Sequence, residues 1–261
     1  MGNGPARLAE RLPKLKDVSY ETITVEERPF ELGTTIRILR SASEKVGAAI
    51  AKNRLPVILA GGCSNTVGAL SAIGTESTAL IWFDAHADFN TPETTPSGFI
   101  DGMALAMATG RCWRTLANSI PGFRPMPEKN VVLIGARDLD PEERASLEHS
   151  EITWLRLESM RKSIVENALG EVLARLPERV YFHVDMDVLD RAEACVNEYS
   201  SPGGLTVSEL LHIIRFIGDN RTIAGAAVTA YDPSVDRDSK GLHAGVAVIQ
   251  QVLAGTCIDM S

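Results

Sequence analysis

The sequence predicts an α/β protein in which a mostly parallel β-sheet lies between layers of helices. Short β-rich runs recur along the chain between longer segments with helical periodicity, an alternation typical of parallel sheets covered on both faces. The length of 261 residues, with 44% hydrophobic and 23% charged positions, fits one large domain over residues 1–261.

The β-rich runs predict the strands. Each run combines apolar and β-branched residues and is bounded by polar or turn-forming residues. In chain order the runs are PVILAG (56–61), ALIWFD (79–84), NVVLIGA (130–136), ITWLRL (152–157), RVYFHVD (179–185) and TIAGAAVTAY (222–231). The loops after the second and fifth runs, residues 90–101 and 190–204, are rich in Pro, Ser, Thr and Gly. They follow the carboxyl ends of strands, where open α/β sheets bind ligands.

Helical periodicity predicts the intervening elements. Residues 34–53 place Ile36, Leu39 and Val46 on one broad face. Similar patterns cover residues 141–148, 159–176, 206–217 and 241–253. The chain opens with MGNGPARLAERL, which predicts a glycine-rich turn leading into a helix with no strand before it. Either an edge strand is missing from the sheet or the sequence starts late.

Composition argues against several classes of partner. The formal charge of −8 and the pI near 5.2 argue against nucleic acid, because phosphate binding needs concentrated Lys and Arg. No apolar run reaches the roughly 18 residues of a membrane span, and no signal-peptide hydrophobic region is present at the start. The four cysteines, at positions 63, 112, 195 and 257, form no CxxC pair. We therefore expect reduced thiols in a cytoplasmic protein.

The strongest chemical signal is a pair of acidic segments that follow predicted strands. In WFDAHADFN, Asp84, His86 and Asp88 are spaced two apart, so in an extended backbone they project to one side. In YFHVDMDVLD, the same parity puts positions 183, 185 and 187 on one face. One such segment is more simply a solvated loop with a core histidine, but two at the ends of buried strands favour a metal site.

Cations would solve the electrostatic problem that these segments create. Carboxylates gathered at strand ends repel one another and are costly to remove from water. Four carboxylates with one or two imidazoles form a mainly oxygen ligand set, which suits Mn²⁺ better than a thiolate-rich zinc site would. Two bridged ions could lower the pKa of water enough for hydrolysis near neutral pH.

These motifs resemble the arginase family of ureohydrolases, which includes agmatinase and formimidoylglutamase. The resemblance runs from the opening GNGP to the final helix, and WFDAHADFN with DMDVLD and SPGGL is a highly specific combination. It implies a three-layer α/β/α fold and two Mn²⁺ ions. By the same resemblance Asp84 and Asp185 would bridge the ions, His86 and Asp187 would complete one site, and Asp88 would serve the other.

The resemblance also implies contacts for an amino-acid substrate. NTPETTPSG resembles the arginase loop that hydrogen-bonds the α-carboxylate, which implies that role for Asn90, Thr95 and Ser97. GARDLDPEE resembles the segment that holds the α-amino group, which implies Asp140 and Glu143. Neutral donors suit a carboxylate, and acids suit an ammonium group. From the residues alone, a polar turn and a helix capped by Asp140 explain the same segments.

The turn GGCSNT departs from the family pattern. Members usually have GGDHS after this strand, and its histidine ligates the ion that Asp88 also serves. Here Cys63 stands where the aspartate is expected and Ser64 where the histidine is expected. Because a neutral hydroxyl is a weak ligand, we expect one site to be weakened unless Cys63 offers a thiolate or His183 turns towards the centre. An inert buried thiol and a core histidine are the alternatives.

Two further departures concern the substrate. Asp101 replaces a histidine that many relatives use as a proton shuttle, and Ala230 replaces the glutamate that receives the guanidinium group. Losing that glutamate removes a charge-assisted pair, so a less basic Nω-hydroxyguanidine would lose less than arginine. We expect Asp101 to handle a proton, since a carboxylate near the scissile group can do so.

The sequence therefore predicts a manganese-dependent hydrolase that cleaves a C–N bond of a guanidino or N-hydroxyguanidino group and releases urea or a substituted urea. The alternative is a family member that binds a metabolite or a partner without catalysis. The resemblance also leaves a homo-oligomer open, although the chain stops soon after its last predicted helix, where arginases carry a tail that joins subunits.

Overall fold

A parallel six-stranded sheet forms the centre of the computed structural model, which describes residues 1–13, 18–26, 30–162 and 165–255. The order across the sheet is β1-β6-β5-β2-β3-β4, and every neighbouring pair is parallel. The strands are β1 (Val57–Leu59), β2 (Thr78–Phe83), β3 (Val131–Ile134), β4 (Thr153–Leu155), β5 (Arg179–Asp185) and β6 (Thr222–Thr229). Each lies within a predicted run or one residue outside it, so the predicted strands are confirmed.

The α-helices of the described residues alternate with these strands. They are α1 (Gly4–Arg11), α2 (Glu31–Ile50), α3 (Asn65–Ile73), α4 (Ala104–Ala108), α5 (Arg114–Ala117), α6 (Pro141–Glu148), α7 (Leu157–Lys162), α8 (Val165–Leu173), α9 (Val207–Asn220) and α10 (Lys240–Ala254). The pattern over residues 159–176 corresponds to α7 and α8, and residues 163–164 lie outside the described part. As predicted, α1 comes first in the described chain, with no strand before it.

Helices cover both faces of the sheet. Ile81 and Phe83 of β2 belong to a core shared with α1, α8, α9 and α10, whereas Leu80 and Trp82 belong to a core shared with α2, α3 and α4. One strand supplies both cores because successive side chains point to opposite faces. The predicted three-layer α/β/α architecture is confirmed.

Helix α3 was not predicted, and its burial explains why. Seven of its nine residues are buried, so its sequence lacks the contrast between apolar and polar faces that marks a surface helix. The short helices α4 and α5 were missed as well, since four or five residues carry too little periodicity to detect.

Parallel pairing of the two central strands sets the position of the acidic segments. The register of β2 and β5 pairs Trp82 with His183 and Phe83 with Val184. Asp84 and Asp185 come next, so they leave the sheet side by side at its carboxyl edge. This edge is where ligands bind in open α/β sheets.

In the described residues, no helix is both long enough and apolar enough to cross a membrane. Cys63, Cys112 and Cys195 are free thiols, and Cys257 lies outside the described residues.

Both predicted helix starts carry capping boxes, one at Asp140 before α6 and one at Thr206 before α9. At α9 the Thr206 hydroxyl accepts the Glu209 N–H at 3.1 Å, and the Glu209 carboxylate accepts the Thr206 N–H at 2.8 Å. Each bond satisfies a backbone donor that has no partner within the helix.

Removing this cap should destabilise the protein measurably. Thr206→Ala should lower the free energy of unfolding by about 1 kcal/mol, because the Glu209 N–H loses its acceptor. Urea unfolding followed by circular dichroism measures the change. Ser208→Ala, at an exposed position of the same helical turn, is the control and should change stability by less than about 0.5 kcal/mol. Equal losses in the two variants would contradict the capping role.

Candidate metal centre

Side chains with metal-ligand chemistry converge at the carboxyl edge of the sheet in two overlapping groups. One group is Cys63, Asp84, His183 and Asp185, all buried, and the other is Asp84, His86 and Asp187. Within each group, one ligand-type atom of every residue lies within 4.8 Å of those of the others. Asp84 belongs to both groups, which is the arrangement expected of a residue shared by two ions.

Hydrogen bonds orient the carboxylates. The His86 N–H donates to Asp84 Oδ1 at 2.7 Å, and the Trp82 indole N–H donates to Asp84 Oδ2 at 3.0 Å. The Asp187 N–H donates to Asp185 Oδ1 at 2.8 Å. Such bonds fix the direction of each carboxylate before any ion is bound, as the outer partners of metal ligands do.

Asp187 and the imidazole of His86 are held by further contacts. Asp187 Oδ1 accepts the Ala85 N–H at 3.2 Å, and its Oδ2 accepts the Asn197 side-chain amide at 3.2 Å. His86 Nδ1 lies 3.3 Å from Asp84 Oδ1 and 3.5 Å from Asp187 Oδ2. Asp84, His86, Asp185 and Asp187, which the sequence predicts at this site, are therefore together.

Burial and mutual repulsion dominate the electrostatics of the group. Burial, followed by the charge of Asp187, raises the pKa of Asp84 to about 6. Burial and neighbouring carboxylates also raise the pKa values of Asp88 and Asp185 well above their usual range. Burial acts against protonation of His86, but its bond to Asp84 and the surrounding charge outweigh it and raise its pKa to about 9. A divalent cation would relieve this repulsion.

The donor set fits a bound cation of the manganese type. Carboxylate oxygens and imidazole nitrogens suit such an ion better than they suit a soft one. Asp88 Oδ2 and His183 Nε2 are buried without a hydrogen-bond partner in the described part of the chain. Since buried polar atoms are rarely left unpaired, a bound cation would give these two atoms the partners that they lack.

Asp88 lies beside the two groups, on a strained turn. Its φ of 50° is in the left-handed region, which costs a non-glycine residue on the order of 1 kcal/mol or more. Its carbonyl accepts the N–H groups of Leu105 and Ala106 at 2.9 and 3.1 Å, and these bonds secure the turn. The charges of Asp84 and Asp185 reach its carboxylate and raise its pKa.

The GGCSNT turn places Cys63 in the centre. Cys63 Sγ donates to Asp185 Oδ2 at 2.9 Å, and burial followed by the charge of Asp185 raises the pKa of this thiol well above its usual value. Ser64 is also buried, and the bond that ties it to the site is its backbone N–H to Asp101 Oδ1 at 3.1 Å.

The Asp101 carboxylate lies directly against this turn. A Cβ atom on Gly62 would stand 2.0 Å from Asp101 Oδ2, so the glycine is required for the approach. The charge of Asp101 contributes to the raised pKa values of Asp88 and Cys63. Asp101 therefore stands at the edge of the acidic group.

The two predicted substrate segments are joined to each other. The Asn90 side-chain amide donates to Asp140 Oδ2 at 2.9 Å. The carboxylate of Glu143 is only 3% exposed and accepts the N–H groups of Phe89 at 2.8 Å and Asp140 at 3.3 Å. Glu143 thus links the two segments through hydrogen bonds. Burial raises the pKa of its carboxyl group to about 7.

Thr95 and Ser97 lie on the outer part of the loop. The Thr95 hydroxyl accepts the Gly98 N–H at 3.0 Å, and the Ser97 hydroxyl accepts the Phe99 N–H at 3.2 Å. The two hydroxyl oxygens lie 3.5 Å apart, so one hydroxyl can donate to the other while the second hydrogen stays available to solvent or a ligand.

Sequence reasoning missed several residues that support the site. Arg137 donates to six backbone carbonyl oxygens, those of Gly135, Asp187, Val188, Leu189, Ser201 and Pro202. Tyr199 is 49% exposed, stacks on Phe99 with ring centroids 5.9 Å apart and has its ring perpendicular to that of His86. The sequence signals for these residues were an arginine three positions after a buried strand and aromatic residues in polar loops.

Comparisons with known proteins point to one family. A family model described as Arginase family matches residues 4–255. The arginase of Bacillus caldovelox is 30% identical over 262 residues, which cover 94% of this chain and 87% of that protein. The arginase of Bacillus subtilis is 28% identical over 270 residues, covering 97% and 91%.

Solved structures agree. A crystal structure of arginase from Bacillus subtilis matches with a TM-score of 0.83 and 27% identity, covering 96% of this chain and 91% of that one. The formimidoylglutamase of the same species matches with a TM-score of 0.79, covering 97% and 80%, and its 20% identity supports the fold alone.

The buried Glu143 should make the stability of the metal-free protein depend on pH. Its pKa of about 7 in the folded state exceeds its ordinary 4.5, so its contribution is fully present below pH 4.5 and is lost as the pH rises through 7. Urea unfolding at pH 5 and pH 8 after chelation should show a loss of stability in the wild type that is about 2–3 kcal/mol larger than in Glu143→Gln, whose remaining pH dependence comes from the buried aspartates.

The matched control is Glu142→Gln, an exposed acid on the same turn of α6. This variant should retain the wild-type pH dependence, because its carboxyl group stays in water in both states. An identical pH profile for Glu143→Gln and the wild type would disprove the assignment.

Proposed function

This chain belongs to the arginase family, and we propose that it is a manganese-dependent amidinohydrolase. It would cleave a C–N bond in the guanidino or Nω-hydroxyguanidino group of an arginine-like amino acid and release urea or a substituted urea. The observation that carries the proposal is the pair of overlapping ligand groups that share Asp84. Homologues named arginase support the guanidino chemistry.

Two Mn²⁺ ions are proposed at this centre. His86 and Asp187 would hold one, Asp88 would serve the other, and Asp84 and Asp185 would bridge them. When bound, two such ions would supply a water of lowered pKa and positive charge beside the guanidino group. The raised pKa values of the buried aspartates support the need for these cations.

Asp101 is the proposed proton-handling residue. Its Oδ1 accepts the Ser64 N–H, which fixes the carboxylate against the turn and beside Asp88. A carboxyl group in this place can take a proton from the attacking water and give one to the leaving amine nitrogen.

The α-groups of the substrate would meet the loop residues. Thr95 and Ser97 would donate their hydroxyl hydrogens to the α-carboxylate, and Asp140 would accept from the α-ammonium group. Asn90 and Glu143 would contribute by holding Asp140 in place, since both contact it in the folded chain.

Ala230 favours a weakly basic substrate. This residue is 5% exposed and brings only a methyl group where relatives have a glutamate. A fully charged guanidinium group would therefore lack a buried counter-charge, which is costly. An Nω-hydroxyguanidino group is less basic and avoids part of that cost.

A catalytically inactive binding protein is the second candidate. The Cys63 thiol donates a hydrogen bond to Asp185 Oδ2. This bond would compete with a metal ion for the same oxygen. If that contact excluded the second ion, the loops could still bind an amino acid. Product formation separates this candidate from the enzyme.

We also propose a domain organisation, a partner and a cellular compartment for this protein. Residues 1–261 would form one domain, with a small amino-acid substrate as the partner. The free thiols at positions 63, 112 and 195 support a reducing, cytoplasmic compartment. Association into a homo-oligomer stays a prediction.

The Mn²⁺-loaded protein should release the amino-acid product from Nω-hydroxy-L-arginine. We expect kcat/KM to exceed that for L-arginine by about 10-fold or more, since roughly 1.4 kcal/mol of uncompensated charge corresponds to that ratio. Chromatography of ornithine measures both reactions.

Asp185→Asn is the inactive control. Faster turnover of arginine would contradict the substrate assignment, and no turnover of either compound would favour the binding-protein candidate.

Asp101→Asn should lower kcat by about 100-fold or more, because the amide cannot exchange the proton. The bound Mn²⁺ should be unchanged, since Asp101 contacts the turn and is not among the proposed ligands. Glu93→Gln removes an exposed carboxylate from the neighbouring loop and should leave kcat unchanged. A kcat within about threefold of wild type in Asp101→Asn would remove the residue from the mechanism.

A further inference from the structure

A buried histidine on β5 has the geometry of a metal ligand. His183 is 0% exposed and lies two residues before Asp185, so the two side chains leave the strand on the same face. A ring nitrogen of His183 lies within 4.8 Å of ligand-type atoms of Cys63, Asp84 and Asp185. The strand register, and not a flexible turn, sets this position.

The imidazole ring is fixed on two sides. It stacks on the Trp82 ring with centroids 3.5 Å apart and an interplanar angle of 18°. Its Nδ1 lies 2.7 Å from the hydroxyl of Thr66, a fully buried residue in the first turn of α3. The ring therefore has one defined orientation.

The other ring nitrogen has no partner. His183 Nε2 is buried and makes no hydrogen bond in the described part of the chain. An unsatisfied buried polar atom costs about 1–3 kcal/mol.

The Thr66 contact is compatible with a free lone pair on Nε2. If Nδ1 carries the proton and donates it to Thr66 Oγ1, the lone pair is on Nε2. This is the tautomer of a metal-bound histidine, whose second nitrogen almost always donates to an oxygen. Thr66 is thus suited to position the ring and to fix its tautomer.

We propose that His183 Nε2 is a nitrogen ligand of the second metal ion, in place of the turn histidine that Ser64 has replaced. Asp84 and Asp185 share this ion, and Thr66 is a positioning residue that holds His183 in the binding tautomer. Cys63 contributes a neutral thiol that supports Asp185. The inference rests on the proposed two-ion centre but concerns which residue completes it.

The test is the number and affinity of bound ions, measured by elemental analysis and Mn²⁺ titration of the full chain. Wild type should bind two ions per chain, as a two-ion centre requires. His183→Gln should bind one, and His212→Gln, at an exposed histidine of α9, should bind two. Two ions in His183→Gln at wild-type affinity, or one ion in the wild type, would overturn the proposal.

Thr66 variants test the positioning role even if His183→Gln folds poorly. Thr66→Val keeps the size of the side chain but removes the acceptor, and it should weaken the second site about 10- to 100-fold while leaving the first unchanged. Thr66→Ser restores the hydroxyl and should restore affinity. Unchanged Mn²⁺ affinity in Thr66→Val would disprove this role.

Cobalt separates the histidine from the cysteine. The visible absorption of the Co²⁺-loaded protein should change in His183→Gln, and Cys63→Ser should retain two ions. A sulfur-to-cobalt charge-transfer band that disappears in Cys63→Ser together with one ion would assign the ligand to Cys63 instead and overturn the proposal. None of these readouts depends on turnover, so an inactive wild type that binds two ions would count against the proposed function alone.

Discussion

Repulsion among buried carboxylates is the constraint on which the rest of this structure depends. Parallel pairing of β2 and β5 brings Asp84 and Asp185 out of the sheet side by side, and they are only 1% and 3% exposed. Gathering such groups away from water costs free energy unless donors or cations compensate. Backbone N–H groups supply part of that compensation, and the bound ions of an arginase-family enzyme would supply the rest.

Arg137 also offsets the repulsion among the buried aspartates. Its guanidinium group lies close enough to Asp84 and Asp187 for their charges to act on it, yet its hydrogen bonds go to backbone carbonyl oxygens. It therefore adds positive charge near the aspartates without occupying a carboxylate oxygen that an ion would need. The same bonds secure the loop that follows β5, so electrostatic and structural roles coincide in one side chain.

The positions where the chain departs from its family share a physical feature. Residues at the ends of the central strands match the motifs of the resemblance, whereas the departures at Ser64, Asp101 and Ala230 lie outside the strands. Side chains on central strands are held by a core that resists change, and turns tolerate substitution. The proposed ligand role of His183 depends on β5, which places this residue on the same face as Asp185 and near Asp84.

Much of the fold and part of the site could be predicted from short segments of the sequence. The strands, most helices and the convergence of Asp84, His86, Asp185 and Asp187 follow from residue spacing, because strand parity and parallel pairing are properties of short segments. The sequence could not decide whether Cys63, Ser64 or His183 enters the centre. That choice depends on Thr66 of α3 and Trp82 of β2, which lie 117 and 101 positions from His183 along the chain. Side-chain direction inside a pocket is set by such distant contacts, and only the packed tertiary structure brings them together.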